Sequence, residues 1–263
     1  MSDRPVALVT GGGTGIGAAV ARKLGAAGYA VAVTGRRPEP LEAVASEIGG
    51  LAIAADTTSE DDCARLVELT LQRFGRLDGL VVNAGTAGGG TLLDLDPTVF
   101  DRVLRVNLTG AFLICRAAIR PLLAARGAIV AVASQGALRA GPASIAYNPS
   151  KAGLAMLTQC IALDHGPDGL RANCVCPGWV RTEMADETMD WLARRLGIDR
   201  DEAYALVTKD IPARRPCDPE EVAEAVAWLL SDAAGYLNGA VIPVDGGGVA
   251  VDVPLVPFDH VRR

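Results

Sequence analysis

The chain has 263 residues, half of them hydrophobic and 21% charged, with a formal net charge of −6. That length suits one large α/β domain with a full core and is short for two, and the composition excludes a disordered chain. The negative balance leaves no electrostatic case for nucleic acid or an anionic membrane surface as partner.

Strand and helix signals alternate from end to end. Short apolar runs predict strands at 6–10, 30–34, 51–55, 79–82, 128–133, 172–176 and 240–244. Helical spacing predicts helices over 16–27, 41–48, 61–74, 106–125, 151–164 and 220–230. The strands lack polar alternation, as expected when helices cover both faces of a parallel sheet. The expected fold is α/β: a doubly wound seven-stranded parallel sheet (Rossmann fold) in a single domain over residues 1–263. No charge-free apolar run reaches the ~20 residues of a membrane span, and the first strand begins too early to leave room for a signal peptide.

At the end of the first strand, Thr10-Gly11-Gly12-Gly13-Thr14-Gly15-Ile16-Gly17 turns into the first helix. Residues without Cβ let backbone N–H groups and the helix N-terminus approach a pyrophosphate. After the second strand, where an NAD site would carry a carboxylate for the ribose 2′-OH, the chain has Thr34-Gly35-Arg36-Arg37. A guanidinium suits a 2′-phosphate, so NADP(H) is favoured over NAD(H). Asp56 ends the third strand and can accept from an adenine amino group. The Asn83-Ala84-Gly85 loop ends the fourth and lets backbone reach the cofactor; either could instead cap a helix or make a turn.

Ser134 ends the fifth strand and can hydrogen-bond a substrate oxygen as charge develops there. Thirteen residues on comes Tyr147-x-x-x-Lys151, in a chain with only four tyrosines and three lysines. Residues four apart share a helix face, and Pro149 is tolerable in a first turn. A free phenol is a poor base at neutral pH, and one ammonium at ~4 Å favours its ionised form enough to make it a working acid/base. After Cys176-Pro177-Gly178 the chain departs from its rhythm over 179–219, with helices expected at 186–196 and 201–208. An excursion of that length from the carboxyl end of a strand reads as a substrate lid. Substrate-facing candidates are Gln135, Leu138, Arg139, Gly141, Asn148, Trp179, Met184, Met189 and Trp191, mostly apolar or flexible, which favours a hydrophobic carbonyl or alcohol.

The six cysteines, Cys63, Cys115, Cys160, Cys174, Cys176 and Cys217, form no C-x-x-C and no zinc-spaced set, so no metal site is expected. Cys174 and Cys176 are expected on opposite faces of one strand and therefore as poor disulfide partners. A reducing cytoplasm is the expected compartment.

In order and spacing, Thr10-Gly11-x-x-x-Gly15-x-Gly17, Asp56, Asn83-Ala84-Gly85, Asn107, Ser134, Tyr147-x-x-x-Lys151, Pro177-Gly178 and Val244-Asp245-Gly246-Gly247 resemble the short-chain dehydrogenase/reductase family. The resemblance is to its single-domain, 3-oxoacyl reductase-like branch and covers essentially the whole chain. It implies a tetrad in which Tyr147 moves the proton, Ser134 orients the carbonyl or alcohol, Lys151 supports the tyrosine and holds the nicotinamide ribose, and Asn107 anchors a relay water. It further implies that Gly13, Thr14, Ile16 and Thr57 touch the cofactor, and that Pro177, Gly178, Val180 and Thr182 seat the nicotinamide carboxamide. Gly13 departs from the polar residue often found in NADP users, and Asn148-Pro149 replaces two small residues. The implied activity is hydride transfer between nicotinamide and a secondary alcohol or ketone, by an NAD(P)-dependent homo-oligomer (dimer or tetramer). The predicted helices 106–125 and 151–164 are apolar on a second face that fits such an interface, and an apolar tail over 249–258 could close on a neighbouring subunit. An NAD-dependent alcohol dehydrogenase and a non-catalytic dinucleotide-binding scaffold are the alternatives; the intact Ser134, Tyr147 and Lys151 argue against the scaffold.

Overall fold

The computed structural model describes residues 4–256. All seven predicted strands form: β1 (Val6–Thr10), β2 (Ala30–Gly35), β3 (Leu51–Ala54), β4 (Gly79–Val82), β5 (Ala128–Val132), β6 (Arg171–Pro177) and β7 (Val241–Val244). They make one parallel sheet in the order β3-β2-β1-β4-β5-β6-β7. β1 pairs with β2 on one side and β4 on the other, Val9 lying opposite both Val33 and Val81. The chain changes direction across the sheet there, and the crevice above the carboxyl ends of β1 and β4 is where such sheets take ligands.

The helices are α1 (Gly15–Ala26), α2 (Pro38–Ile48), α3 (Glu60–Phe74), α4 (Pro97–Leu104), α5 (Gly110–Ala125), α6 (Tyr147–His165), α7 (Glu183–Leu196), α8 (Arg200–Thr208) and α9 (Pro219–Leu230). One layer packs Leu24, Leu41, Val44 and Leu229 of α1, α2 and α9 against Val9, Val33, Val81 and Val130. The opposite layer packs Leu66, Ile114, Leu122 and Leu154 of α3, α5 and α6 against Leu8, Leu80 and Ile129. Successive strand residues feed opposite layers, so both must be apolar, and this is why the strands do not alternate.

Two elements differ from the sequence reading. The helix expected from residue 106 begins at Pro97, where Asp96 caps it by accepting from Thr98 N at 2.8 Å; Asp-Pro is a helix-start signal. The helix then widens into one π turn, Arg105–Thr109, before α5. Pro97–Ala125, 29 residues in all, is long and apolar enough to cross a membrane by length and composition, yet it carries Ala111, Ile114, Ala118 and Leu122 into the core. Cys174 and Cys176 correct a second expectation. Residues two apart on a strand share a face, and both cysteines lie buried in the same layer.

Between β6 and α9, helices α7 and α8 start within three residues of expectation and enclose a small core of their own, Met189, Ala193, Ala203 and Tyr204. Tyr204 donates its hydroxyl to Asp186 at 2.8 Å, and the Arg181 guanidinium stacks 4.6 Å from the Tyr204 ring centroid. Met189, grouped with the substrate-facing residues from sequence, is fully buried here, on the inner stripe of α7. The two ends of the excursion are clasped together, Cys217 N donating to Trp179 O at 2.8 Å and Arg181 N to Cys217 O at 3.0 Å, and Ala213 N ties it to the turn after β7 by donating to Gly246 O at 3.1 Å. Of the apolar tail expected over 249–258, Pro257 and Phe258 lie outside the described residues.

All six cysteines are free thiols. Burial pushes Cys63 up to about 11 and Cys115 up to about 12, whereas Cys160 is exposed. A maleimide at neutral pH is therefore expected to label Cys160 first and to reach Cys63 and Cys115 only in denaturant, as read by peptide mass spectrometry. Early labelling of Cys115 would contradict the packing of α5.

Candidate active site

The residues singled out from sequence gather along the carboxyl edge of the sheet. At the end of β1 the buried Thr10 hydroxyl accepts from Asn83 N at 2.9 Å and Ala84 N at 3.0 Å. The Asn83 amide returns the bond to Thr10 O at 3.0 Å and Gly11 O at 3.2 Å. These contacts tie the Asn83-Ala84-Gly85 loop to the glycine turn, so both edges of the crevice are held in one network. Within the turn Gly15 has φ +51°, and a Cβ on Gly17 would fall 2.1 Å from Gly11 O. No larger residue fits Gly17 without moving backbone. Thr14 precedes α1 without capping it through its side chain, so the helix presents unpaired N–H groups to an anion.

Arg36 and Arg37 follow β2 and are both exposed. Arg37 is bonded to the Glu183 carboxylate at 2.9 and 3.4 Å. Asp56 Oδ1 accepts from Thr58 N at 2.9 Å, and Asp56 N donates to Asp62; that N–H, then Arg65, holds the Asp62 carboxyl below the usual range. Asp56 therefore makes the turn that sequence allowed as its alternative, keeping Oδ2 for a further donor. Thr57 is buried against Gly110.

On the other side of the crevice, Tyr147 opens α6 and Lys151 follows one turn later, with Pro149 inside the first turn as expected. Lys151 is only 4% exposed. Its ammonium donates to Val132 O at 3.0 Å, at the end of β5, and lies 5.8 Å from the Tyr147 ring centroid. Ser134 stands two residues beyond Val132, its hydroxyl accepting from Gly136 N at 3.1 Å. A Cβ on Gly85 would lie 3.3 Å from both Lys151 Nζ and Asn107 Oδ1, so a side chain there would crowd both groups. Asn107, fully buried in the π turn, accepts from Thr86 N at 2.8 Å and donates to Thr86 O at 3.0 Å and Ser150 Oγ at 2.9 Å. Single π turns recur at functional sites, and here the widening belongs to the residue that joins the β4 loop to α6.

The nicotinamide-end candidates continue the edge. Pro177 closes β6, and Gly178 N donates to Val244 O at 3.0 Å. Val180 is buried beside Cys217, and Thr182 caps α7 by accepting from Ala185 N at 3.3 Å while its methyl abuts Gly15. The substrate candidates are less uniform. Gln135 lies in the turn after Ser134, Gly141 is exposed, and Met184 is 40% exposed on α7. Trp179 packs against the small core of α7 and α8. Asn148 donates to Arg139 O at 3.1 Å and fills the space over Gly136, so it shapes the turn after Ser134.

Two contributors, Ser150 and Glu183, were not singled out, and a third, Asp245, entered only as part of the Val244-Asp245-Gly246-Gly247 motif with no role of its own. Ser150 accepts from Asn107 and donates to Tyr147 O at 2.6 Å, and its only sequence signal is its place directly before Lys151. Asp245 is buried and folds the following turn by accepting from Gly247 N at 3.0 Å and Val249 N at 2.6 Å. Glu183 carried no signal at all.

A family model described as Enoyl-(Acyl carrier protein) reductase matches residues 11–248. The chain belongs to the short-chain dehydrogenase/reductase family. It is 42% identical to Protein MoaE of Klebsiella aerogenes over 260 residues, 96% of this chain and 98% of that one. It is 38% identical to an A-factor type gamma-butyrolactone 1'-reductase (1S-forming) of Streptomyces virginiae over 255 residues, covering 94% and 96%. A crystal structure of an actinorhodin polyketide ketoreductase with NADPH superposes with a TM-score of 0.90 at 32% identity, covering 95% of this chain and 98% of that one. The protein is thus an NAD(P)-dependent oxidoreductase of this family with a Rossmann-type sheet.

Gly17→Ala is expected to lower the melting temperature and abolish dinucleotide binding, because the new methyl meets the Gly11 carbonyl. Calorimetry of the variant checks it; unchanged affinity would mean that the turn does not carry the cofactor.

Proposed function

We propose that the protein is an NADP(H)-preferring enzyme that interconverts a ketone and a secondary alcohol on a largely apolar or 3-oxoacyl substrate. Residues 1–263 would act as one catalytic domain, with 179–219 as its lid. The observation that carries this reading is the buried Lys151 ammonium 5.8 Å from the Tyr147 ring centroid. A cation held out of water beside the tyrosine can stabilise the negative charge left on its oxygen during a proton transfer. A protein that only binds dinucleotide has no need of Ser134, Tyr147 and Lys151 together.

The glycine turn and the uncapped start of α1 fit a pyrophosphate, and Asp56 with Arg36 and Arg37 would take the adenosine end. At the other end Lys151 would bind the ribose through the donors left beyond Val132 O, with Gly178, Val180 and Thr182 against the carboxamide. The bound nicotinamide supplies the hydride for reduction or takes it up in oxidation. In reduction, Ser134 hydrogen-bonds the carbonyl oxygen, and Tyr147 gives that oxygen its phenolic proton. Lys151 stabilises the phenolate that remains. Asn107 keeps one Oδ1 lone pair beyond its bond from Thr86, enough to anchor a water that returns a proton to Tyr147.

NADP(H) is favoured because residues 34–37 carry two arginines and no carboxylate, and the ketoreductase solved with NADPH points the same way. Phe112, Met156 and Leu163 stand 46%, 59% and 78% exposed on α5 and α6, which supports a homo-oligomer, dimer or tetramer, joined across these helices. Free thiols throughout support a reducing compartment such as the cytoplasm.

Tyr147→Phe is expected to cut turnover about 10²–10⁴-fold and to leave NADPH affinity within about twofold; unchanged turnover would overturn the tyrosine mechanism. In the unmodified protein, equilibrium titration is expected to give NADPH an advantage of about tenfold over NADH, ~1.4 kcal/mol. An NADH preference would overturn the cofactor assignment.

A further inference from the structure

Glu183 is separated from Arg37 by 146 positions in sequence and meets it across the glycine turn. It opens α7 directly after Thr182, whose methyl touches the site of the missing Gly15 side chain at 3.1 Å. Its carboxylate has no part in capping that helix, because Thr182 accepts from Ala185 N. The other first-turn acid of α7, Asp186, is taken by Tyr204 and Arg200 inside the α7–α8 unit. Glu183 instead reaches outward, and both oxygens grip the Arg37 guanidinium, with each partner 59% exposed. This hydrogen bond holds the Glu183 carboxyl below the usual range, so it is anionic throughout the neutral range.

We propose that Glu183 is a specificity-determining residue: it competes with the 2′-phosphate of NADP(H) for Arg37 and so moderates the preference that Arg36 and Arg37 create. The inference rests on the reading of those arginines as the 2′-phosphate site. A 2′-phosphate and the Glu183 carboxylate are like charges sharing one guanidinium, so NADP(H) can engage Arg37 fully only by loosening the pair. NAD(H) carries no such group and leaves the pair intact. The same contact ties the start of α7 to the tip of β2, so the cofactor with the phosphate is also the one that releases this corner of α7. Because the pair is exposed and screened, the effect is modest, about threefold in affinity.

The test is equilibrium binding of NADPH and NADH to the full chain with Glu183→Gln, Arg37→Met and the double substitution, all at one salt concentration. Glu183→Gln keeps size and exposure, and a retained melting temperature excludes misfolding as a cause. The expected result is NADPH affinity raised about threefold by Glu183→Gln, NADH affinity unchanged, and no such gain in the Arg37→Met background. Glu183→Asp, which keeps the charge, is expected to stay close to the original ratio. If Arg37→Met weakens NADPH but Glu183→Gln leaves the NADPH/NADH ratio alone, or shifts both cofactors equally, the Glu183 role is overturned while the phosphate site stands. If Arg37→Met does not weaken NADPH, the reading of Arg37 as a phosphate ligand fails first, and the role of Glu183 falls with it.

Discussion

A lysine ammonium taken out of water is stable in the folded state only if the protein surrounds it with acceptors. Lys151 meets that demand with the Val132 carbonyl, and the surrounding architecture follows from keeping the contact. β5 must end where its carbonyl can be reached, α6 must start early enough for Tyr147 to lie one turn before the lysine, and Gly85 must lack a side chain that would crowd the ammonium. Asn107 closes the corner by holding Thr86 on one side and Ser150 on the other. The π turn at 105–109 is local helix irregularity in the service of that buried amide.

The opposite rim of the crevice is held by a different device. Thr10 and Asn83 exchange hydrogen bonds between β1 and β4, strands adjacent in space and some seventy residues apart in sequence. With the two strand ends locked, the glycine turn has little room to move, and its tight approach at Gly17 becomes affordable only for a residue without Cβ. Rigidity on both rims contrasts with the α7–α8 excursion. It has a small core of its own, is tied to the body at Cys217 and Gly246, and meets the β2 tip through an exposed ion pair of the kind that contributes little to stability.

Much of the fold was legible because its signals are local. Apolar runs set the seven strands, and helical spacing set the main helices to within a few residues. The missed helix α4 was also written in the chain, as Asp96-Pro97, and was overlooked because its apolar stripe is short. The opposite-face reading of Cys174 and Cys176 misapplied strand geometry, which puts residues two apart on one face. Met189 was misplaced because an apolar residue on a helix of this excursion can face a ligand or the excursion's own interior, and only the packing of Tyr204 against α7 decides which.

By itself the sequence determined the alternating α/β order, the glycine turn at the end of β1, and the pairing of Tyr147 with Lys151, since each depends on residues within a few positions of one another. The tertiary structure alone decided that Asn107 spends its amide on Thr86 and Ser150, that Gly85 lies against both Asn107 and Lys151, and that Glu183 reaches Arg37. Those contacts join segments 21 to 146 residues apart. Helical and strand periodicities reveal which face a residue occupies, but not which distant segment the fold will bring against it.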